Sequence, residues 1–328
     1  MSTRFASVFA AALLCAGSGS ALAQTEAPKP PSDNVISSVT VTAAPPPKTI
    51  EKQAHAFVQS YAAAQHPELD QIARWYDPVC VQVVGLPSDD EAAKIKARIE
   101  SVARALNTPA PRAKCTANVE IVFTPYPQAT MDAVARRREY FLGYFHVHNR
   151  DRLKAVTHPI QSWYVTATRG RASGSVALTF SMFSGSNQRQ TEVIDDPNNQ
   201  MPNGCGDSRL TTSCLQSGLH NIFIVADSKA LEGQDLGLVA DYMAMLALSQ
   251  PRSLDGCNAL PSVIDAFAKP ACAGRDPPDG LTPADAAYLT ALYDADLMAK
   301  RKIEQTEIAG RMARILANSS AGGKSSGG

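Results

Sequence analysis

The chain has 328 residues, with 31 Lys and Arg against 31 Asp and Glu, so its formal charge is zero. That balance argues against nucleic acid or an anionic membrane surface as the principal partner, since both call for a positive excess. Arg4, the apolar run from Phe5 to Cys15 and then Ala21-Leu22-Ala23 supply the three parts of a secretory leader, with cleavage expected after Ala23.

The apolar run of the leader is too short to span a bilayer, and no later stretch is long and apolar enough to anchor the chain. A soluble periplasmic or secreted protein is expected, with 30 basic and 31 acidic side chains left once Arg4 is removed. Cys15 falls in the leader, which leaves Cys80, Cys115, Cys205, Cys214, Cys257 and Cys272. An even number in an exported chain reads as disulfides, expected here to pair in sequential order. No Cys-x-x-Cys occurs, so neither a zinc ribbon nor a thioredoxin-like redox pair is indicated.

Residues 24–48 are rich in Pro, Ala, Ser and Thr and read as an extended linker, with Ser38–Ala43 a β-rich part of it. Ile50–Gln65 has Ala54, Phe57, Val58, Tyr61 and Ala62 at helical spacing, ended by His66-Pro67. Val79–Leu86 reads as a strand, and Ser88 with Glu91 as a capping box opening a helix. The apolar stripe of that helix is Ile95, Ile99, Val102 and Leu106, and Asn118–Thr124 is a second strand. This is a βαβ unit, whose crossover lays the two strands parallel and adjacent and puts Cys80 and Cys115 near one edge.

Thr130–Phe145 is predicted helical; Arg136, Arg137 and Arg138 spread around its axis and read as a solvated surface. His146 and His148 would share a face of a strand and could hold a metal with a third donor, but no neighbour nominates one. Ile160–Thr168 and Val176–Phe183 read as a hairpin, followed by a polar loop over 184–218 closed by Cys205 and Cys214. Asn221–Ala226 is a covered strand, and Leu236–Leu248 is apolar nearly all round, interrupted only by Asp241, which suits a buried helix. Cys257 to Cys272 encloses a short helix. Thr282 caps a further one with Pro283 at its first position and Leu289, Leu292 and Tyr293 on its buried face. Leu297–Ala317 continues helical, and 318–328 reads as a disordered tail.

The order of strand, loop and buried helix over Leu219–Ser249, followed by Leu281-Thr282-Pro283-Ala284-Asp285, resembles the zincin-like metallopeptidases. Arg74–Leu86 together with Val239–Leu248 is also similar to an uncharacterised family of exported proteobacterial proteins, over most of residues 70–315. The first resemblance implies a zinc-binding HExxH on the buried helix, but laying that motif over it puts Ala240 and Ala244 at the histidines and Asp241 at the glutamate. A methyl group has no lone pair to give a metal, so the resemblance implies a zincin scaffold without its zinc.

The fold expected is therefore a single α/β domain, a mixed sheet with helices over residues 49–317, zincin-like, after a signal peptide and a Pro-rich linker. The expected function is non-catalytic: binding of a peptide or envelope partner in a cleft that includes Asp227, Asp241 and Tyr242, with no cofactor and no metal. The alternative is a hydrolase with an atypical metal site or one that divides acid and base work among Asp227, Glu232 and Asp241. Asp241 also suits a plainer role, a buried carboxylate that fastens a neighbouring loop.

Overall fold

The structure, a computed structural model, describes residues 47–62, 70–109, 114–143, 149–170, 176–182, 190–194, 215–268, 270–296 and 299–322, all within the compact unit Ala44–Gly328. The leader, nearly all of the linker, His146, His148, Cys205 and Cys214 lie outside them. In chain order the elements are α1 (Pro47–Tyr61), β1 (Val81–Val84), α2 (Asp89–Ala105), β2 (Val119–Thr124), α3 (Pro127–Arg137) and the short α4 (Arg150–Leu153). They continue with β3 (Ile160–Gly170), β4 (Val176–Met182), β5 (Gln190–Ile194), β6 (Leu215–Asp227), α5 (Leu236–Leu248), α6 (Pro283–Asp294) and α7 (Arg301–Gly322).

One mixed sheet runs in the order β1-β2-β6-β3-β4-β5. β1, β2 and β6 are parallel, with Val81 opposite Val119 and Val119 opposite Ile222, as the βαβ pattern requires. β3 runs antiparallel to β6, and β4 and β5 follow antiparallel, so an α/β sheet with mixed strand directions results. Period-two alternation separates its faces. Val119, Ile121, Ile222 and Ile224 enter the main core with Ile95 and Ile99 of α2 and the whole of α5 from Val239 onward. Phe223, Val225 and Trp163 point the other way, onto Met131 and Val134 of α3 and onto Phe141 and Leu142.

The main core is closed by α1, α6 and α7. Phe57 and Tyr61 of α1 meet Tyr288 of α6, with ring centroids 5.8 and 6.1 Å away, and Ile308, Ala309 and Met312 of α7 pack into the same cluster. The consequence for α5 is that its C-terminal end is buried: Ser249 and Gln250 are both sealed from solvent. The last four carbonyls of a helix have no partner inside it, and water cannot reach these. All four find other donors. Met245 O accepts from the Ser249 N–H (3.1 Å) and hydroxyl (2.8 Å), Leu246 O from the Tyr164 hydroxyl (3.0 Å), Ala247 O from Trp75 Nε1 (2.6 Å) and Leu248 O from the Tyr293 hydroxyl (2.9 Å).

A second buried polar centre lies beside the first. Arg74 is fully enclosed, donates to Leu292 O (2.8 Å) and Ala295 O (3.1 Å) at the end of α6, and ion-pairs with Glu304 of α7. The other Glu304 oxygen accepts the Ile72 N–H at 2.7 Å, so both of its oxygens are engaged. Burial pushes the Glu304 carboxyl up to about 7, against the pull of the Arg74 guanidinium and the Ile72 N–H.

Five expectations change. Ser88 accepts no capping bond with its side chain, so no capping box forms; Asp89, Asp90 and Glu91 complement the helix dipole at this end instead. The helix expected over Thr130–Phe145 stops at Arg137 and gives way to a 3₁₀ turn over Glu139–Leu142. Arg138 leaves helical backbone at φ −141° and ψ 48°, its side chain reaches Glu120 and lies 4.9 Å over the Phe141 ring, and Phe141 and Leu142 turn into the second core. The loop expected over 184–218 contains β5 and the first residues of β6, because strand pairing uses backbone groups and needs no apolar pattern. The short helix inside the Cys257–Cys272 ring is a 3₁₀ turn, Val263–Phe267. The tail expected from residue 318 is still helical to Gly322, with the Ser319 hydroxyl donating back to Ile315 O at 3.0 Å. Two of the expected disulfides, Cys80–Cys115 and Cys257–Cys272, are formed with Cα separations of 6.1 and 5.2 Å.

Two stability outcomes follow from these polar centres. Tyr293→Phe leaves Leu248 O without its donor in a dry site and should cost about 1–3 kcal/mol in urea unfolding. Glu304→Ala strands the buried Arg74 charge and should cost about 3–5 kcal/mol, whereas Arg74→Met combined with Glu304→Leu should cost less than Glu304→Ala alone. Because the folded-state value of Glu304 lies above its ordinary 4.5, its stabilising contribution is full below that value and declines as pH rises through about 7. Wild type should accordingly lose ground to Glu304→Gln between pH 5 and pH 8.

Candidate functional site

The three residues expected to line a cleft each have a local partner. Asp227 closes β6 and turns its Oδ1 back onto the N–H groups of Lys229 (3.0 Å) and Ala230 (3.2 Å), a turn made by an aspartate side chain. Asp241 accepts from Arg98 of α2 and from the Leu281 N–H (3.0 Å) just before α6. Its Oδ2 lies so close to Gly280 that a Cβ there would come within 2.6 Å, so the glycine is what lets the backbone approach. Tyr242, the next residue, is enclosed and meets the Phe267 ring edge-on, 5.1 Å between centroids. Burial raises its phenol well above the usual range. Glu232 is exposed in the loop between β6 and α5.

The helix positions that correspond to zinc ligands in the resembled peptidases, Ala240 and Ala244, are 4% and 0% exposed within the main core. Among the described residues no group of three or more His, Cys, Asp or Glu could hold a metal ion. Asp285, in the Leu-Thr-x-x-Asp turn, caps its own helix and also accepts from the Ser262 hydroxyl (2.6 Å) and the Val263 N–H (2.7 Å). It thus fastens the 3₁₀ turn of the Cys257–Cys272 ring to α6. Burial pushes its carboxyl upward while these donors pull it down.

The concave site lies instead where the chain leaves α5. Pro251 disfavours helical backbone at Gln250, and the segment turns off toward the start of β3. Between them is a pocket of about 330 Å³. His158, Ser162 and Tyr164 from the β3 side face Gln250 and Arg252 across it, and Leu142, Leu153 and Leu254 add apolar wall. Gln250 is only 4% exposed, and its Oε1 has no hydrogen-bond partner. A larger groove of about 500 Å³ runs along α3 from Thr124 to Arg138, but its charged groups are exposed arginines.

Most polar groups of the β3–α5 pocket are already engaged. The Ser162 hydroxyl donates to the Tyr164 hydroxyl (2.8 Å), which donates to Leu246 O. His158 has Thr157 Oγ1 at 2.8 Å from Nδ1 and Asp255 at 3.4 Å from Nε2. That row of hydroxyl, imidazole and carboxylate resembles a nucleophile relay, yet the N–H groups of Thr157 and His158 that could hold an oxyanion both donate to Gln161 Oε1. The row therefore braces the pocket mouth. Gln250 and Arg252 escape notice in the sequence, where Gln250-Pro251 reads only as a helix stop. A polar residue just beyond a helix that is apolar nearly all round was the available signal.

No protein-family model matches the chain, and neither a curated protein nor a solved structure does. Function is therefore argued from this geometry. Asp241→Asn should lower stability by about 1–3 kcal/mol, since it weakens a charged tie between α2, α5 and the start of α6. It should leave any ligand affinity of the β3–α5 pocket unchanged, which titration calorimetry on the variant would check.

Proposed function

We propose that this protein is an exported, non-catalytic binding domain that holds a small polar ligand or the end of a peptide in the β3–α5 pocket. The observation that carries this reading is Gln250, a side chain on the pocket wall that is 4% exposed yet has an unpartnered carbonyl oxygen. An unpaired buried acceptor costs about 1–3 kcal/mol, and of the seven buried side-chain atoms without a partner among the described residues, Gln250 Oε1 is the one whose residue lines this pocket. The two disulfides support passage through an oxidising compartment, and no helix among the described residues is long and apolar enough to cross a membrane. The run from β6 through its loop into α5, with α6 opening on Leu281-Thr282-x-x-Asp285, supports a zincin-like scaffold whose metal positions have become core.

The test is a thermal-shift screen of the purified protein against amino acids, short peptides and monosaccharides, run in parallel on Gln250→Met. At least one compound should raise the melting temperature of wild type and not of the variant. Without ligand, Gln250→Met should be as stable as wild type or up to about 1 kcal/mol more stable, because it removes an unsatisfied buried group. A set of compounds that shifts neither protein, or shifts both equally, would overturn the reading.

A further inference from the structure

Resting on that binding function, we infer that the pocket recognises a carboxylate together with a neighbouring amide N–H, the chemistry of the C-terminal residue of a peptide or of a free acylated amino acid. The inference comes from asking which lining groups have capacity left. Gln161 is held on both sides: its Oε1 takes the N–H groups of Thr157 and His158, and its Nε2 donates one of its two N–H groups to Ala155 O at 2.9 Å. Trp163 Nε1 is used on Leu153 O (2.6 Å), Ser253 is bonded to Asp255 (2.5 Å), and both His158 nitrogens are occupied.

Two polar lining side chains make no hydrogen bond among the described residues. One is Gln250, whose buried Oε1 needs a donor. The other is the Arg252 guanidinium, exposed and paired with no carboxylate among the described residues; only its backbone N–H is engaged, on Ser60 O at 3.3 Å. No Asp or Glu lines the pocket; Asp255 at its mouth is bonded to Ser253 and lies 3.4 Å from His158 Nε2, which leaves Arg252 as the lining side chain with a permanent charge. A guanidinium presents paired donors that match a carboxylate. Pro251 stands between the two groups with its φ fixed, which limits how far they can drift apart. An acylated amino acid offers the matching pair, an N–H for Gln250 and a carboxylate for Arg252, and Leu142, Leu153 and Leu254 receive an apolar side chain. At about 330 Å³ the space is near the lower end for small-ligand sites, enough for a terminal residue rather than a long segment.

The experiment is titration calorimetry of the full chain with four probes: N-acetyl-Ala-Leu, the same dipeptide amidated at its C-terminus, N-acetyl-leucine and hexanoate. The free-acid dipeptide should bind at least about tenfold more tightly than its amide, the size of one charge-assisted hydrogen bond. Arg252→Gln should remove that difference and Arg252→Lys restore part of it, with no change in melting temperature since Arg252 is exposed. N-acetyl-leucine equal to the dipeptide would support the inference with a free acyl amino acid as the source; a clear preference for the dipeptide would support it with a peptide end. Hexanoate binding as well as N-acetyl-leucine would overturn the amide half, and equal affinity for acid and amide would overturn the carboxylate half. Failure of all four probes beside a Gln250-dependent response to some other compound would sink this inference and leave the binding function standing; no Gln250-dependent response to anything would sink both.

Discussion

The constraint on which the rest of this structure turns is the burial of the C-terminal end of α5. Helix ends normally sit at a surface because four carbonyls there have no partner within the helix. Here the helix is apolar on every side but for Asp241 and is covered through its last residue, so each carbonyl has to be met by a donor close by. Trp75 comes from the segment before β1, Tyr164 from β3, Tyr293 from the end of α6, and Ser249 closes the fourth. Three aromatic side chains serve because each supplies apolar area for the core and one polar atom at its tip. Sheet, entering segment and outer helices are thereby fixed relative to one helix end.

The Arg74–Glu304 pair extends the same logic one layer outward. Arg74 adjoins Trp75, and its own carbonyl accepts the Leu219 N–H (2.9 Å) while its side chain reaches the end of α6 and Glu304 of α7. One short stretch of chain, 71–75, thus carries Gln71 to the Ser217 N–H, Ile72 to Glu304, Arg74 to α6 and α7 and Trp75 to α5. Buried charges of this kind add little net stability, since desolvation offsets the attraction, but they penalise any arrangement that separates them.

The pocket is a by-product of how α5 ends. A chain that leaves a buried helix end through Gln250-Pro251 must carry a polar side chain past the core before reaching solvent, and Gln250 is left on a wall with its carbonyl unpaired. Earlier in the helix, Ala240 and Ala244 have their methyl groups packed in the interior. Asp241, the charge that interrupts the helix, ties α2 to the start of α6.

The sequence by itself determined what depends on neighbours in the chain. The limits of α5, the parallel β1-α2-β2 unit, the Thr282 cap with Pro283 behind it and the Cys80–Cys115 and Cys257–Cys272 pairs were all legible, because periodicity, caps and short loops act over a few residues or one crossover. Pattern did not reveal β5, the early part of β6 or the last turns of α7, whose hydrogen bonds are made by backbone regardless of side chain. Tertiary structure alone decided that α3 breaks at Arg138, which of the two roles open to Asp241 it takes, and that Gln250 and Arg252 share a pocket. The physical reason is distance along the chain: the three aromatic donors that close α5 lie 45 to 172 positions from the carbonyls they serve, and no local pattern encodes a partner that only folding brings near.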